Sequence, residues 1–220
     1  MNGDVGLFGR EPVDIDVPFR DVLSDLDIAA MGVFEAHNGQ WGFFGDLMYV
    51  DTESKGSIER EVESVGSLAQ LKVTVGTQSF VGTAMGEYRL FDGGQATFDI
   101  MAGGRVWDVN NDISARLSAD GVKVAEFSGD DGATWVDPMV GVRTRIETGS
   151  PLYFTGWGMI GGFGVGSDLS WDVMGGAGYQ WTESFATVLG YRALGVDYKD
   201  DGFVYDVTQH GVILGGVFSF

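Results

Sequence analysis

Ionisable side chains are the groups in this chain that could do chemistry, and most of them are acidic. The chain carries 32 Asp and Glu residues against 13 Lys and Arg, a formal net charge of −19. It has two histidines and no cysteine. The lack of cysteine excludes a thiolate nucleophile, a thiolate metal site and a disulfide framework. The negative charge argues against nucleic acid as a partner, because phosphate binding needs a basic face.

The two histidines, His37 and His210, are the candidates for acid–base catalysis. An envelope hydrolase or acyltransferase would need a histidine beside a serine or an acid at one rim of the fold. His37 falls in a predicted hairpin turn, and His210 lies in the last predicted strand, on the same row as Thr208 and Asp206. A lone histidine at an apolar surface is the simpler interpretation. We therefore expect no catalytic residue, and a lipid-modifying enzyme is the alternative.

Two polar stretches, 51–66 and 108–133, hold many of the acidic residues and are predicted to be long loops. Side chains such as Asp51 and Asp130 could bind Ca²⁺ or bridge to lipopolysaccharide through divalent ions. The spacing is not that of an EF-hand loop. A solvated outer surface is the favoured interpretation, and we expect neither a metal nor a cofactor.

Most of the chain alternates between large apolar residues and small or polar ones, and a period of two indicates β-strands. The last stretch, 203–220, shows it clearly, because Phe220, Phe218, Leu214 and Val212 share one row. About ten strands are predicted, the first of them, within residues 3–17, on the weakest pattern. No run of 18 apolar residues is present, so no transmembrane helix is expected.

Short turn signals separate the strands and predict an antiparallel meander. They lie at 37–40, where Asn-Gly supplies the backbone angles of a tight turn, and at 92–94, 148–151 and 182–184. The length of 220 residues fits one domain, 1–220. A content of 44% hydrophobic and 13% aromatic residues is too high for a disordered chain. The N-terminus lacks the basic and apolar regions of a signal peptide. If the protein is exported, we expect this sequence to be a mature or engineered form with an added Met.

Charged residues recur on the row opposite the bulky apolar one. This charged row comprises Glu35, Asp46, Glu87, Arg89, Asp99, Arg105, Asp137, Arg143, Arg145, Glu147 and Arg192. A soluble barrel has the same separation of apolar and charged rows, but with the apolar row inside and the charged row in water. This separation alone therefore does not show whether the outer face contacts lipid or water. If the charges face a narrow lumen, they are expected to pair, because an unpaired charge there is costly. A selective pore lined by the arginines is the alternative.

Aromatic residues near the strand ends favour a membrane. Two girdles of such residues at the lipid–water interfaces are typical of transmembrane barrels. The predicted interface residues are Trp41, Tyr49, Trp157, Trp171, Tyr179 and Trp181. The glycine-rich charged row would pack poorly as a soluble core but fits a narrow lumen crossed by long side chains.

The closing strand with its terminal aromatic residue, together with segments 34–42, 178–181 and 190–192, resembles small, functionally uncharacterised outer-membrane β-barrel proteins of proteobacteria. The resemblance implies an all-β fold, a single antiparallel up-and-down transmembrane barrel of eight to ten strands, with ten favoured. It implies the outer membrane of a Gram-negative bacterium, with short turns in the periplasm and long loops outside. Phe218 and Phe220 would be the signal that the barrel-assembly machinery reads.

The expected function follows from that resemblance and not from a catalytic motif. Outer-membrane lipid and lipopolysaccharide are the expected partners, and a monomer is favoured. We expect a structural or surface-interaction role, or porin-like passage of small solutes limited by a largely plugged lumen. The alternatives are a lipid-modifying outer-membrane enzyme and a soluble, lipocalin-like ligand carrier.

Overall fold

The computed structural model describes residues 2–6, 13–16, 26–62, 67–119 and 122–218. All the regular secondary structure in these segments is β, as the sequence predicts. Within the same segments, no helix has the length and apolar character needed to cross a membrane.

Eleven strands form one antiparallel sheet. They are β1 (Asn2–Gly6), β2 (Val13–Asp16), β3 (Leu26–Asn38), β4 (Trp41–Val62), β5 (Ser67–Asp92), β6 (Ala96–Ala119), β7 (Val122–Glu147), β8 (Leu152–Gly162), β9 (Leu169–Thr182), β10 (Phe185–Asp200) and β11 (Phe203–Phe218). The nine strands from β3 to β11 pair in chain order, so the predicted up-and-down meander is confirmed. β1 and β2 form a short hairpin on the edge of β11. Nine long strands and one short hairpin thus replace the favoured count of ten.

The sheet is strongly curved but its two ends are not joined by backbone pairing in the described segments, where β3 and β2 are the terminal strands. Side chains from distant strands nevertheless meet across the curved face. Arg192 on β10 donates a hydrogen bond of 3.0 Å to Asp46 on β4, six strands away in the sheet. The sheet therefore has an enclosed concave face and an exposed convex face.

The four predicted turns are present, but the two predicted loops are wrong. Gly39, with a φ of 66°, lies in the two-residue connection between β3 and β4. Residues 51–62 and 108–119 continue β4 and β6, and they pair with β5 and β7 respectively. Residues 51–62 are mostly polar in both rows, so no apolar alternation marks that strand. In 108–119 an apolar row that includes Val109, Ile113 and Leu117 alternates with a polar row, but the polar content of the segment favoured a loop. Residues 63–66 and 120–121 of the predicted loops lie outside the described segments.

We call this four-stranded part the β4–β7 extension. It consists of residues 51–62, 67–79, 108–119 and 122–134. These strands are 22 to 26 residues long, whereas β8 to β11 have 11 to 16. The extension therefore projects beyond the rest of the sheet as a paired ribbon of four strands.

Two apolar clusters lie on the concave face. The cluster nearer the short turns contains Phe44, Met85, Met101, Met139, Tyr153, Trp157, Met159, Met174, Ala186 and Val188. The other contains Val81, Trp107, Val109, Trp135, Leu194, Val196, Tyr198, Phe203, Tyr205 and Val207. Charged residues are buried beside them. The convex face exposes large apolar side chains on every strand from β4 to β11.

The side chains of β8 lie on the faces opposite to those predicted. Among the predicted interface residues, this changes the position of Trp157. Trp157 is directly opposite Arg143 on β7 and Met174 on β9. Opposed residues of an antiparallel pair lie on the same face, so Trp157 is buried on the concave side and is not a convex interface residue. Tyr153 is buried on the same side of β8, and Gly178 on β9 leaves the space for its ring, since a Cβ there would lie 2.1 Å from that ring.

Candidate functional site: the buried charge network

Four charged residues from four strands meet at the centre of the concave face. Arg192 donates to Asp46 at 3.0 Å and to Asp172 at 2.6 Å. Arg105 donates to the same oxygen of Asp172 at 2.6 Å. All four side chains are at most 4% exposed. Two arginines and two aspartates thus form a neutral, desolvated cluster that crosses the enclosed space from β4 to β10.

Polar neighbours complete most of the hydrogen bonding in this central cluster. The indole nitrogen of Trp157 donates to Asp172 at 3.1 Å, and Arg105 Nε donates to the hydroxyl of Thr83 at 2.8 Å. Arg192 also lies over the Trp157 ring, 5.4 Å from its centroid. Within the described segments, Arg105 Nη1 is the one guanidinium nitrogen of the cluster without a hydrogen-bond partner. Such a network is rigid, because each buried charge is held by several contacts.

A second charged cluster lies nearer the short turns. His37 Nε2 is 3.1 Å from Glu35 and 2.9 Å from Glu87, whose side chain is fully buried. Arg143 contacts Glu35, and Arg89 donates to Asp99 at 2.9 Å. These contacts join β3, β5, β6 and β7 across the concave face.

The remaining predicted lumen charges lie on the same face but in separate contacts. Arg145 pairs with Glu147 at 2.6 Å and lies 3.6 Å from the centroid of the Tyr153 ring. Asp137 accepts hydrogen bonds from the backbone N–H and the hydroxyl of Ser167, at 2.7 Å and 2.9 Å. Ser167 belongs to the β8–β9 connection, so Asp137 holds that connection against β7.

Sequence reasoning placed Asp172 on the charged row but did not select it, although it joins both arginines of the central cluster. The signal was its alternation with Trp171 and Val173 in β9. Its contact with Arg105 could not be inferred, since β6 lies three strands away from β9 in the sheet.

Stacked aromatic rings occupy the concave face on the side of the β4–β7 extension. Trp135 stacks on Trp107 with ring centroids 5.7 Å apart and on Tyr198 at 3.9 Å. Tyr205 packs edge-on against Trp135. These rings, together with the central cluster, occupy successive levels of the enclosed space.

The other predicted interface aromatics lie on the convex face. Trp41, Tyr179 and Trp181 are exposed there, and Tyr49 and Trp171 are partly buried. Tyr179 and Trp181 pack together at 4.6 Å between centroids, near the β9–β10 turn.

His210 and Phe218, one of the two residues of the predicted assembly signal, lie on β11. His210 is exposed, and its Nδ1 is 2.5 Å from the hydroxyl of Tyr191 on the adjacent strand. Phe218 is exposed and packs against Phe185 at 5.1 Å between centroids. Phe220 lies outside the described segments.

The β4–β7 extension bears an open concavity of about 560 Å³. Its lining includes the carboxylates of Asp51, Glu53, Asp112 and Asp130. Asp112 and Asp130 are directly opposite each other on β6 and β7. This acidic surface contrasts with the apolar convex face beside it.

Comparison with known proteins yields no relative: no family model, no curated protein and no solved structure matches this chain.

Proposed function

We propose that the protein is an outer-membrane β-barrel with a filled lumen, non-enzymatic, whose role is structural or in surface interaction, with solute passage limited. The observation that carries the proposal is the polarity of the two faces. The enclosed face holds buried ion pairs, whereas the convex face exposes large apolar side chains on eight successive strands. Soluble monomers rarely expose contiguous apolar surface on this scale.

The height of the apolar band supports lipid as the outer solvent. On the convex row of β5 no charged residue occurs from Phe80 to Leu90, and Gln78 and Asp92 limit the band. At ~3.4 Å per residue and a tilt of ~40°, ten residues span ~26 Å. That matches the apolar band of ~25 Å in outer-membrane barrels. Asp51 is paired with Gln78, so the band ends at the same level on β4.

Closure of the sheet is part of the proposal, because an unpaired edge is not tolerated in hydrocarbon. In an up-and-down meander β3 and β11 run in the same direction, so pairing them directly would be parallel. β1 is antiparallel to β11 and therefore also to β3. Closure of β1 on β3 would give ten strands with all neighbours antiparallel. In the structure β2 occupies that edge of β1, so this closure requires β2 to leave it.

The location of the β4–β7 extension favours a surface role. It begins where the apolar band ends and carries paired strands with mostly polar faces. The short turns lie at the other end of the sheet, the side that faces the periplasm in this class. The extension is then extracellular. The ion cluster and the stacked rings occupy the interior beneath it, which limits solute passage.

Two matched arginine substitutions test the proposal. Leu214→Arg changes a residue that is 81% exposed in the middle of the β11 convex row, and Val124→Arg changes one that is 61% exposed in the extension. At the centre of a bilayer the arginine costs about 2–4 kcal/mol. In a soluble protein both changes stay within about 0.5 kcal/mol of the parent. Denaturant unfolding in lipid vesicles measures the difference.

Heat-modifiable gel mobility of the detergent-folded protein, with circular dichroism, tests closure independently. A closed barrel migrates differently before and after boiling. Equal destabilisation by the two arginines, together with folding in plain buffer, would instead support the lipocalin-like carrier. The enzyme alternative requires His210, and we expect His210→Ala to leave the lipid A mass spectrum unchanged.

A further inference from the structure

The imidazole of His37 lies between two carboxylates in the cluster near the short turns. Its Nε2 is 3.1 Å from Glu35 Oε1 and 2.9 Å from Glu87 Oε2. One ligand atom from each of the three residues lies within 4.8 Å of the others. We propose that Glu35, His37 and Glu87 form a binding site for a divalent transition metal, with Zn²⁺ as the best-matched ion.

The register of the sheet builds this arrangement. His37 on β3 is directly opposite Gly42 on β4, and Gly42 is directly opposite Glu87 on β5. The imidazole ring extends over Gly42 to reach Glu87 two strands away. A Cβ at Gly42 would lie 2.5 Å from ring atoms of His37. Any larger residue at this position would push the imidazole away from the carboxylate.

Burial without hydrogen bonds is the second observation that indicates a ligand. The Glu87 side chain is fully buried, and neither of its oxygens accepts a hydrogen bond from the described residues. Among the described residues, His37 Nδ1 also has no hydrogen-bond partner although it is buried. A buried carboxyl group stays ionised only when a cation or hydrogen bonds compensate for its lost hydration. One N–H on His37 cannot serve two carboxylates at once.

The charges around the cluster leave room for a cation. Arg143 contacts Glu35, and Arg89 Nη2 is 3.4 Å from His37 Nε2 while its guanidinium also pairs with Asp99. Glu35, Glu87 and Asp99 together contribute −3, and the two arginines contribute +2, so −1 remains when His37 is neutral. A proton on His37 neutralises that charge, whereas a divalent metal ion changes it to +1. Arg143 is the competitor for Glu35.

The ligand types and spacing fit zinc. Zn²⁺ is held tetrahedrally by imidazole nitrogen and carboxylate oxygen at ~2.0–2.2 Å, which places ligand atoms ~3.3 Å apart. The distances of 3.1 Å and 2.9 Å from His37 Nε2 to the two carboxylates are close to this value. Three protein ligands leave a fourth position for water.

Titration calorimetry of zinc sulfate into the detergent-folded full chain tests the site. We expect one equivalent of Zn²⁺ to bind. Loss of an outer-shell contact typically weakens metal binding ~10–100-fold, so His37→Ala and Glu87→Gln should weaken it at least as much. The matched control is His210→Ala, which removes the other histidine and should leave binding unchanged. Gly42→Ala keeps all three ligands but displaces the ring, and should also weaken binding.

A measurement on the unaltered protein tests the site even if the variants fail to fold. Diethyl pyrocarbonate modifies free imidazoles, and peptide mass spectrometry reports each histidine separately. With zinc present we expect His37 to be protected and His210 to react as before. No zinc binding, or equal modification of His37 with and without zinc, would overturn the proposal and leave a protonated His37 bridging the two carboxylates. Zinc binding lost in His210→Ala and kept in His37→Ala would also overturn it.

Discussion

Arg192 and Arg116 each pair with a carboxylate on an adjacent strand, but in different surroundings. Arg192 pairs with Asp172 at 2.6 Å, and the two side chains are 4% and 0% exposed. Arg116 pairs with Glu126, also at 2.6 Å, with 56% and 36% exposed. The first pair lies inside the curved sheet and the second in the β4–β7 extension. Equal distances therefore imply different energies, because water screens only the second pair.

The extension and the enclosed part of the sheet also differ in how they use β-pairing. In the enclosed part, alternation puts charges on one face and bulky apolar groups on the other. In the extension, polar residues occupy both faces, as with Gln78 on the convex side and Thr77, which donates to Asn111 at 2.9 Å, on the concave side. Backbone pairing and polar side-chain contacts continue the strands there, without an apolar core. The extension should thus tolerate substitutions that the enclosed part does not.

The largest expected effect comes from removing one partner of the buried pair. Arg192→Met leaves Asp46 buried without its cation and Asp172 with Arg105 alone. Breaking a buried pair costs about 3–5 kcal/mol, whereas Arg116→Met should cost less than about 1 kcal/mol. Unfolding of both variants by denaturant in detergent or lipid measures the contrast. Equal losses would show that the concave face is hydrated and not enclosed.

An intermediate effect is expected from crowding the concave face. Gly178→Ala would place a methyl group 2.1 Å from the Tyr153 ring, and overpacking of this kind costs about 1–3 kcal/mol. Gly175 lies on the other face of the same strand, and a Cβ there meets nothing within 4 Å. Gly175→Ala should leave the free energy of unfolding within about 1 kcal/mol of the parent. The denaturation midpoints of the two variants show which face of β9 is crowded. A larger loss for Gly175→Ala would mean that the faces are exchanged.

The smallest effect concerns the pH dependence of the extension. Hydrogen bonds from Lys123 and Arg116 lower the pKa of Glu126 to about 2. A depressed carboxyl pKa adds stability above the unfolded-state value, and this is lost as the pH falls through about 2. We expect NMR titration to find Glu126 ionised down to that range, and Lys123→Ala to raise its pKa. An unchanged pKa in Lys123→Ala would contradict the assignment of Lys123 as the main cause.

Residue alternation and turn chemistry were enough to predict the strands from β3 to β11. The turn at Asn38-Gly39 and the Gly-containing turns after β5 and β7 needed only local backbone preferences. Of the extension, residues 67–79 were predicted as part of a strand at 67–91, and the segments 51–62, 108–119 and 122–133 were missed. Their high content of polar residues favoured loops, because neither face of the extension is a continuous apolar core. Their pairing depends on neighbouring strands, which no local pattern contains.

The charged side chains of the concave face show a similar limit of prediction from sequence. The sequence predicted that Asp46, Arg105 and Arg192 share a face, because each lies on the small-residue row of its own strand. It did not predict that they meet through Asp172, since β4, β6, β9 and β10 approach one another only when the sheet curves. Trp157 was assigned to the convex face on size alone. Its register with Arg143 and Met174 reversed that assignment.

The sequence by itself determined that each strand has an apolar side and a charged side. It could not determine which side is enclosed, because a period of two is the same for a sheet curved in either direction. Only the tertiary structure decided this: the contact of Arg192 with Asp46 shows that the charged rows face inward. Those ion pairs are stable inside because they compensate one another, and the apolar rows lie on the exposed outer face.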